Sequence, residues 1–179
     1  LRARSSQAVF RHVSSQQFDI GFAEIDAEHP AVDRRVLAGG TMKAVLPADH
    51  PLCDKRVLRA ADFDGQPFIA LGEEISTRTE TDLFLAAGGG RPKIVAEAQL
   101  SASICEMVAC GSGVSIVEPV TAAQASETGR VVTKELEPAQ RFSYDVLLPA
   151  LRKPSRVALR FLDLVGTRLE DLLGNQQIR

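Results

Sequence analysis

Ser5, Ser6, Ser76 and Thr77 stand where an extended run of this sequence gives way to helical periodicity. The first turn of a helix leaves backbone N–H groups without intrahelical partners, and the helix dipole favours negative charge there. A hydroxyl at that point caps the helix, and the same turn can hold a carboxylate without a buried lysine. Ser76 and Thr77 close the turn Gly72-Glu73-Glu74-Ile75-Ser76-Thr77. Glu24 ends the run Phe18 to Ala23, where an acid can pair with an ammonium or guanidinium through a charge-assisted hydrogen bond. Glu118, directly before Pro119, is a second acid of that kind. Acids beside hydroxyl-rich helix starts suit a zwitterionic, amino-acid-like ligand. The plainer readings are helix capping for the hydroxyls and a solvated strand end for Glu24. Capping and ligand binding are compatible.

Catalytic arrangements are harder to find. His12, His29 and His50 are scattered over a helix face, a loop and a turn, and no G-x-S-x-G elbow is present. Gly111-Ser112-Gly113 follows a helix instead of a strand. No spacing of histidine, cysteine and acid matches a metal site. Gly88-Gly89-Gly90 ends a helix rather than opening one, so a phosphate-loop reading fails. The expectation is a binding protein and not an enzyme, with no catalytic residue, metal or cofactor.

Composition narrows the partners. The 179 residues are 45% apolar and 25% charged with a net charge of −2, ordinary for a globular protein and no electrostatic reason to bind nucleic acid. With no tryptophan and one tyrosine, stacking platforms for single strands are not expected. Cys53, Cys105 and Cys110 make an odd count, and the last two lie at a spacing that suits neither a disulfide nor a tetrahedral metal pair. Plain thiols and the lack of a visible signal peptide lead to the expectation of a reducing, cytoplasmic setting. No apolar run approaches the roughly 20 residues that span a bilayer.

The elements that must position these residues follow a βα rhythm. Arg2 to Arg4 reads as the tail of a strand. A helix opens at Ser5 and Ser6 and buries Val9, Phe10 and Val13, and Phe18 to Phe22 reads as the next strand. Residues 26–35 read as a loop, Val36-Leu37 as the start of an edge strand, and Thr41 to Leu46 as a strand crossing between two lobes. Phe68 to Leu71 is a strand, and Thr77 with Glu80 has capping-box spacing for the helix through Leu83, Phe84 and Ala87. Lys93 to Ala98 is a strand. Ser101 and Ser103 are candidate caps of the helix after it, Ser103 with Glu106 again having capping-box spacing. Gly111 and Gly113 suit a sharp reversal into the β-branched run Val114 to Val117, with a proline exit at Pro119. Val131 to Leu136 and Tyr144 to Leu148 are later strands returning to the first lobe. Ala158, Phe161, Leu162, Val165, Leu169 and Leu172 recur at helical spacing along a terminal helix. Strands alternating with helices predict an α/β sandwich with largely parallel pairing.

The order of these segments resembles the effector-binding domain of LysR-type bacterial transcriptional regulators. Four segments carry the resemblance: Phe18-Asp-Ile-Gly-Phe-Ala-Glu24; Met42-Lys-Ala-Val-Leu-Pro-Ala-Asp-His-Pro-Leu52; Ala61-Asp-Phe-Asp-Gly-Gln-Pro-Phe-Ile-Ala-Leu71; and Leu100 to Pro119 with Cys110-Gly-Ser-Gly-Val-Ser-Ile-Val-Glu-Pro119. Within that family the sequence is most similar to the LysR and opine-responsive group, whose effectors are amino acids or their conjugates.

The resemblance implies a two-lobed, type II periplasmic-binding-protein-like α/β sandwich with a hinge of two crossing strands. Lobe I would take residues 1–44 and 118–179, and lobe II residues 45–117. An effector would lie in the cleft between lobes, where family loops matching Ser6 and Gly72 to Thr77 line it and the position of Glu24 faces it. The family's winged helix-turn-helix, its linker helix, and the first strand and helix of the effector domain have no counterpart in the sequence. DNA would therefore be bound only through a domain missing here. Family regulators assemble as homodimers and homotetramers, which would set residues 1–17 against Lys93 to Cys110. The runner-up is a solute-binding protein of a transporter with the same two-lobe fold.

Overall fold

The computed structural model describes residues 2, 4–24 and 28–174. Ala3 of the expected strand tail, and Asp26 and Ala27 of the expected loop, lie outside them. The chain divides into two compact units, residues 1–40 with 143–179 and residues 41–142.

The second unit is a sandwich whose central strands are buried on both faces. β3 (Lys43–Pro47), β5 (Pro67–Leu71) and β7 (Ser115–Val117) are almost wholly buried. Their side chains alternate between two cores, as the strand period of two requires. Ala44, Leu46, Phe68, Ala70, Val114 and Ile116 enter one core with Phe63, Phe84 and Leu85. Val45, Ile69, Leu71 and Val117 enter the other with Ile104, Cys105 and Val108. Helix α2 (Ser76–Ala87) therefore covers one face, and α3 (Ser101–Ala109) with α4 (Pro119–Ser126) covers the opposite one.

Pairing in this unit is mixed, not largely parallel. One sheet has the order β4-β8-β3-β7, with β4 (Val57–Arg59) and β8 (Val131–Glu137). β3 runs antiparallel to both β7 and β8, while β4 and β8 are parallel. β5 pairs in parallel with β6 (Lys93–Ala98), and the single parallel bridge Phe68–Val114 joins this pair to β7. Gly113 makes that bridge possible. Its φ is +157°, and a Cβ there would sit 2.6 Å from the Pro67 carbonyl oxygen.

The first unit is built from both ends of the chain. β1 (Gly21–Phe22), β9 (Arg141–Pro149) and β2 (Val32–Thr41) form a sheet in the order β1-β9-β2. α1 (Ser6–Ser14) buries Val9 and Val13 against Ala23 and Leu147. On the other face, α5 (Arg156–Leu173) meets the sheet through Phe161 and Phe22, whose rings lie edge to face at 6.1 Å. Of the expected apolar stripe on α5, Ala158 is buried, Phe161 is exposed, and the rest are half-buried.

Several boundaries move. The expected strand Phe18 to Phe22 shortens to two residues, and β2 runs unbroken through part of the expected loop from Val32. Both capping boxes fail because the helices begin earlier. Ile75 and Leu100 hold the cap positions of α2 and α3, neither with a side-chain cap bond, so Thr77 and Ser103 fall inside the first turn. Pro119 opens α4 instead of leading the chain out. The chain returns to the first unit at Phe142–Ser143, not at Glu118. Residues 118–142 stay in the second unit because β8 hydrogen-bonds to β3 and β4, and α4 packs on the core beneath α3.

Candidate effector site

Three parallel strand ends of the second unit each feed a helix. β5 leads through Gly72 to α2, β6 through Gln99 to α3, and β7 through Glu118 to α4. Because β6 pairs with β5 and β5 bridges to β7, the three turns lie side by side at the carboxyl ends of their strands. Helix N-termini collected in this way form the customary ligand edge of an α/β sheet.

The Gly72 to Thr77 turn is held from within. Gly72 N–H donates to the Ala98 carbonyl at 3.1 Å, and Ile75 N–H donates to the Gly72 carbonyl at 3.0 Å. Ile75 is half-buried against the core beneath α3, which anchors the cap of α2. Ser76 opens the helix, Thr77 is 3% exposed, and Glu73 and Glu74 are exposed. Gly72 leaves room for two polar side chains. A Cβ on it would meet Gln99 Nε2 at 2.5 Å and Glu74 Oε2 at 2.8 Å. Glu118 is the cap of α4. Its Oε2 accepts from Thr121 N–H at 3.0 Å and its Oε1 from the Thr121 hydroxyl. It lies beside α3, where burial foremost, with help from Glu118 and Glu106, pushes the Cys105 thiol up to about 11.

In the first unit, Ser5 caps α1 through its hydroxyl, which accepts from Ala8 N–H at 3.4 Å, and Ser6 is the first helical residue. Glu24 is half-buried at the end of β1, next to Ala23, whose N–H donates to the Asp145 carbonyl at 3.4 Å. Asp145, in β9, is buried, and its Oδ2 accepts from Arg34 at 2.6 Å. The structure thus groups Ser5 and Ser6 on one helix start of the first unit, and Gly72 to Thr77 with Glu118 along one edge of the second.

Sequence reasoning missed Gln99 and Arg78. Neither carries a motif. A cation in the first turn of a helix runs against the dipole, and that local anomaly is the signal Arg78 offered. Among the described residues, no group of three or more histidine, cysteine and acidic side chains is placed to hold a metal ion. No helix among them is long and apolar enough to cross a membrane.

A two-unit α/β fold with its helix starts gathered at strand ends defines a ligand-binding domain of the periplasmic-binding-protein kind. The family described as LysR substrate binding domain matches over residues 1–170, so the chain belongs to that family. It is 29% identical over 156 residues to the regulatory protein NocR of Agrobacterium tumefaciens strain T37, covering 87% of the chain and 52% of that protein. It is 31% identical over 149 residues to the transcriptional activator protein LysR of Escherichia coli K12, covering 83% and 48%. The chain thus spans about half the length of the curated relatives it matches. The regulatory domain of CcmR from Synechocystis PCC6803, solved in complex with 2-PG, superposes with a TM-score of 0.76 at 14% identity, covering 98% of this chain and 83% of that one. At that identity the likeness is one of fold.

Proposed function

We propose that the chain is the effector-sensing part of a transcriptional regulator, and that its effector is a small amino-acid-like molecule. The observation that carries the reading is the row of strand-to-helix turns in the second unit. The N-terminus of α2, behind Gly72, Glu73, Ile75, Ser76 and Thr77, offers backbone donors and a favourable dipole to a carboxylate. Ser5 and Ser6 offer the same at α1, and Glu24 supplies the negative charge that a cationic group needs. Glu118 contributes as the acid at the head of α4 while capping that helix. The names of the matched relatives, a regulatory protein and a transcriptional activator, support the regulatory role. In this reading the protein works in the cytoplasm as a homodimer or homotetramer. DNA contact falls to a helix-turn-helix outside these residues, in keeping with a net charge of −2.

The test screens the standard amino acids, ornithine and succinate by thermal shift on the intact regulator, followed by calorimetry on the hits. Glu24→Gln keeps size and removes charge. It is expected to weaken the dibasic amino acids by about 1.5–3 kcal/mol and to leave succinate unchanged or tighter. Equal affinity of parent and variant for the dibasic probes would reduce Glu24 to a solvated acid and remove the cationic half of the reading.

A further inference from the structure

Arg78 sits in the first turn of α2, where a positive charge is out of place on dipole grounds alone. It is nevertheless largely buried, its side chain 12% exposed. Its Nη1 donates to the Leu71 carbonyl at the end of β5 and to Glu97 Oε1 on β6, both at 2.8 Å. Its Nε donates to Asp82 Oδ2, one turn along α2, also at 2.8 Å. One guanidinium therefore fastens the residue before the Gly72 turn, the first turn after it, and the neighbouring edge strand. Two further contacts close the same seam, namely Gly72 N–H on the Ala98 carbonyl and the Gln99 amide lying over Gly72. The rigid fork of an arginine reaches several acceptors at once, which a lysine ammonium on a flexible stem does not.

We propose that Arg78 is a positioning residue of the effector site, holding the Gly72 to Thr77 turn in register with the end of β6 so that movement of one is movement of the other. The inference rests on that turn being the effector's seat. Glu97 is the outward arm of the clasp, and the strand that carries it also presents Ile94 and Val95, 44% and 54% exposed. A ligand pulling on the α2 start would reach the surface of β6 through Arg78 and Glu97, with no intervening loop.

Hydrogen exchange on the intact protein without effector tests the clasp independently of what the turn binds. The amides to follow are Gly72, Ile75 and Arg78, each with a backbone acceptor in the turn or on β6, with β3 amides as the internal standard. Arg78→Met keeps most of the stem and removes the fork. It is expected to speed exchange at those amides about tenfold, the loss of a hydrogen bond to a charged group, while β3 amides keep the parent rate. Glu97→Ala, at a half-exposed site, is expected to speed Ile75 and Arg78 several-fold, and Arg78→Lys to fall between parent and Arg78→Met. Should Arg78→Met fail to fold, Glu97→Ala decides alone. Parent-like exchange of the turn in Glu97→Ala, or acceleration spread equally over β3, overturns the proposal. Failure of every amino-acid probe to bind would count against the effector reading and leave these exchange results untouched.

Discussion

Cys105 and Cys110 lie on one helix and its cap in opposite surroundings. Cys105 is 3% exposed on the buried face of α3, and burial holds its thiol at about 11, above an ordinary 9.0. Cys110 is exposed, with an Arg130 guanidinium nitrogen 3.7 Å from its sulfur. A disulfide reagent at pH 8 is expected to label Cys110 first, half-buried Cys53 more slowly, and Cys105 at a rate set by unfolding. Parent-like labelling of Cys110→Ser would place the reactive thiol elsewhere. The raised thiol also sets a pH window. The folded state favours the protonated sulfur, so its contribution to stability is complete below 9.0 and is lost as pH rises through about 11. Urea midpoints of the parent are expected to fall further between pH 8 and 10.5 than those of Cys105→Ala. Parallel curves would mean that Cys105 carries no such linkage.

At the scale of elements, glycines separate two kinds of cost. Gly111 has φ +77° with open space around it, so Gly111→Ala carries the left-handed conformational penalty of roughly 1–2 kcal/mol. Gly113→Ala adds a collision with the rigid Pro67 carbonyl and loosens the β5–β7 bridge, so it is expected to cost about 1–3 kcal/mol more. Denaturant midpoints of the two variants check the order, and a reversal would mean that β7 shifts freely. The same elements show what was legible beforehand. β5, β6 and α5 were readable because each announces itself locally, by a β-branched or apolar run or by spacing of apolar residues. The starts of α2 and α3 escape a capping-box search because apolar Ile75 and Leu100 hold the cap positions without a side-chain cap bond, Ile75 being fixed instead by its packing against the core beneath α3. β8 was assigned to the wrong unit because its pairing with β3 spans a long stretch of chain. Ser76 and Thr77 can be nominated from type and spacing alone, as hydroxyls at a helix start. Arg78 could not, since its partners Leu71 and Glu97 become neighbours only through the β5–β6 pairing.

For the whole molecule, the proposed homo-oligomer needs an apolar contact surface, and β6 offers one. Ile94 and Val95 on β6, and Leu100 at the cap of α3 just beyond it, are exposed, an apolar edge that a lone sheet would normally guard. Met107 is half-buried and packs into the core beneath α3, so it is a poor probe of that face. Ile94→Glu is the better one. It is expected to shift the intact protein toward monomer in sedimentation without moving the melting temperature by more than a few degrees. An unchanged oligomer would put the contact on another face.

The interrupted first unit has a consequence for how the chain comes to fold. Residues 41–142 are continuous, with their cores closed among themselves, whereas residues 1–40 must wait for 143–179. During synthesis, the earlier piece emerges without the β9 strand that its sheet places between β1 and β2. Closing a chain of about 100 residues at random costs several times RT in entropy, and a folded insert replaces that search with two ends already near each other. The fragment 41–142 is therefore expected to fold cooperatively by itself, and the full chain to show its amides protected before those of β1, β2 and α1 in pulse-labelled refolding.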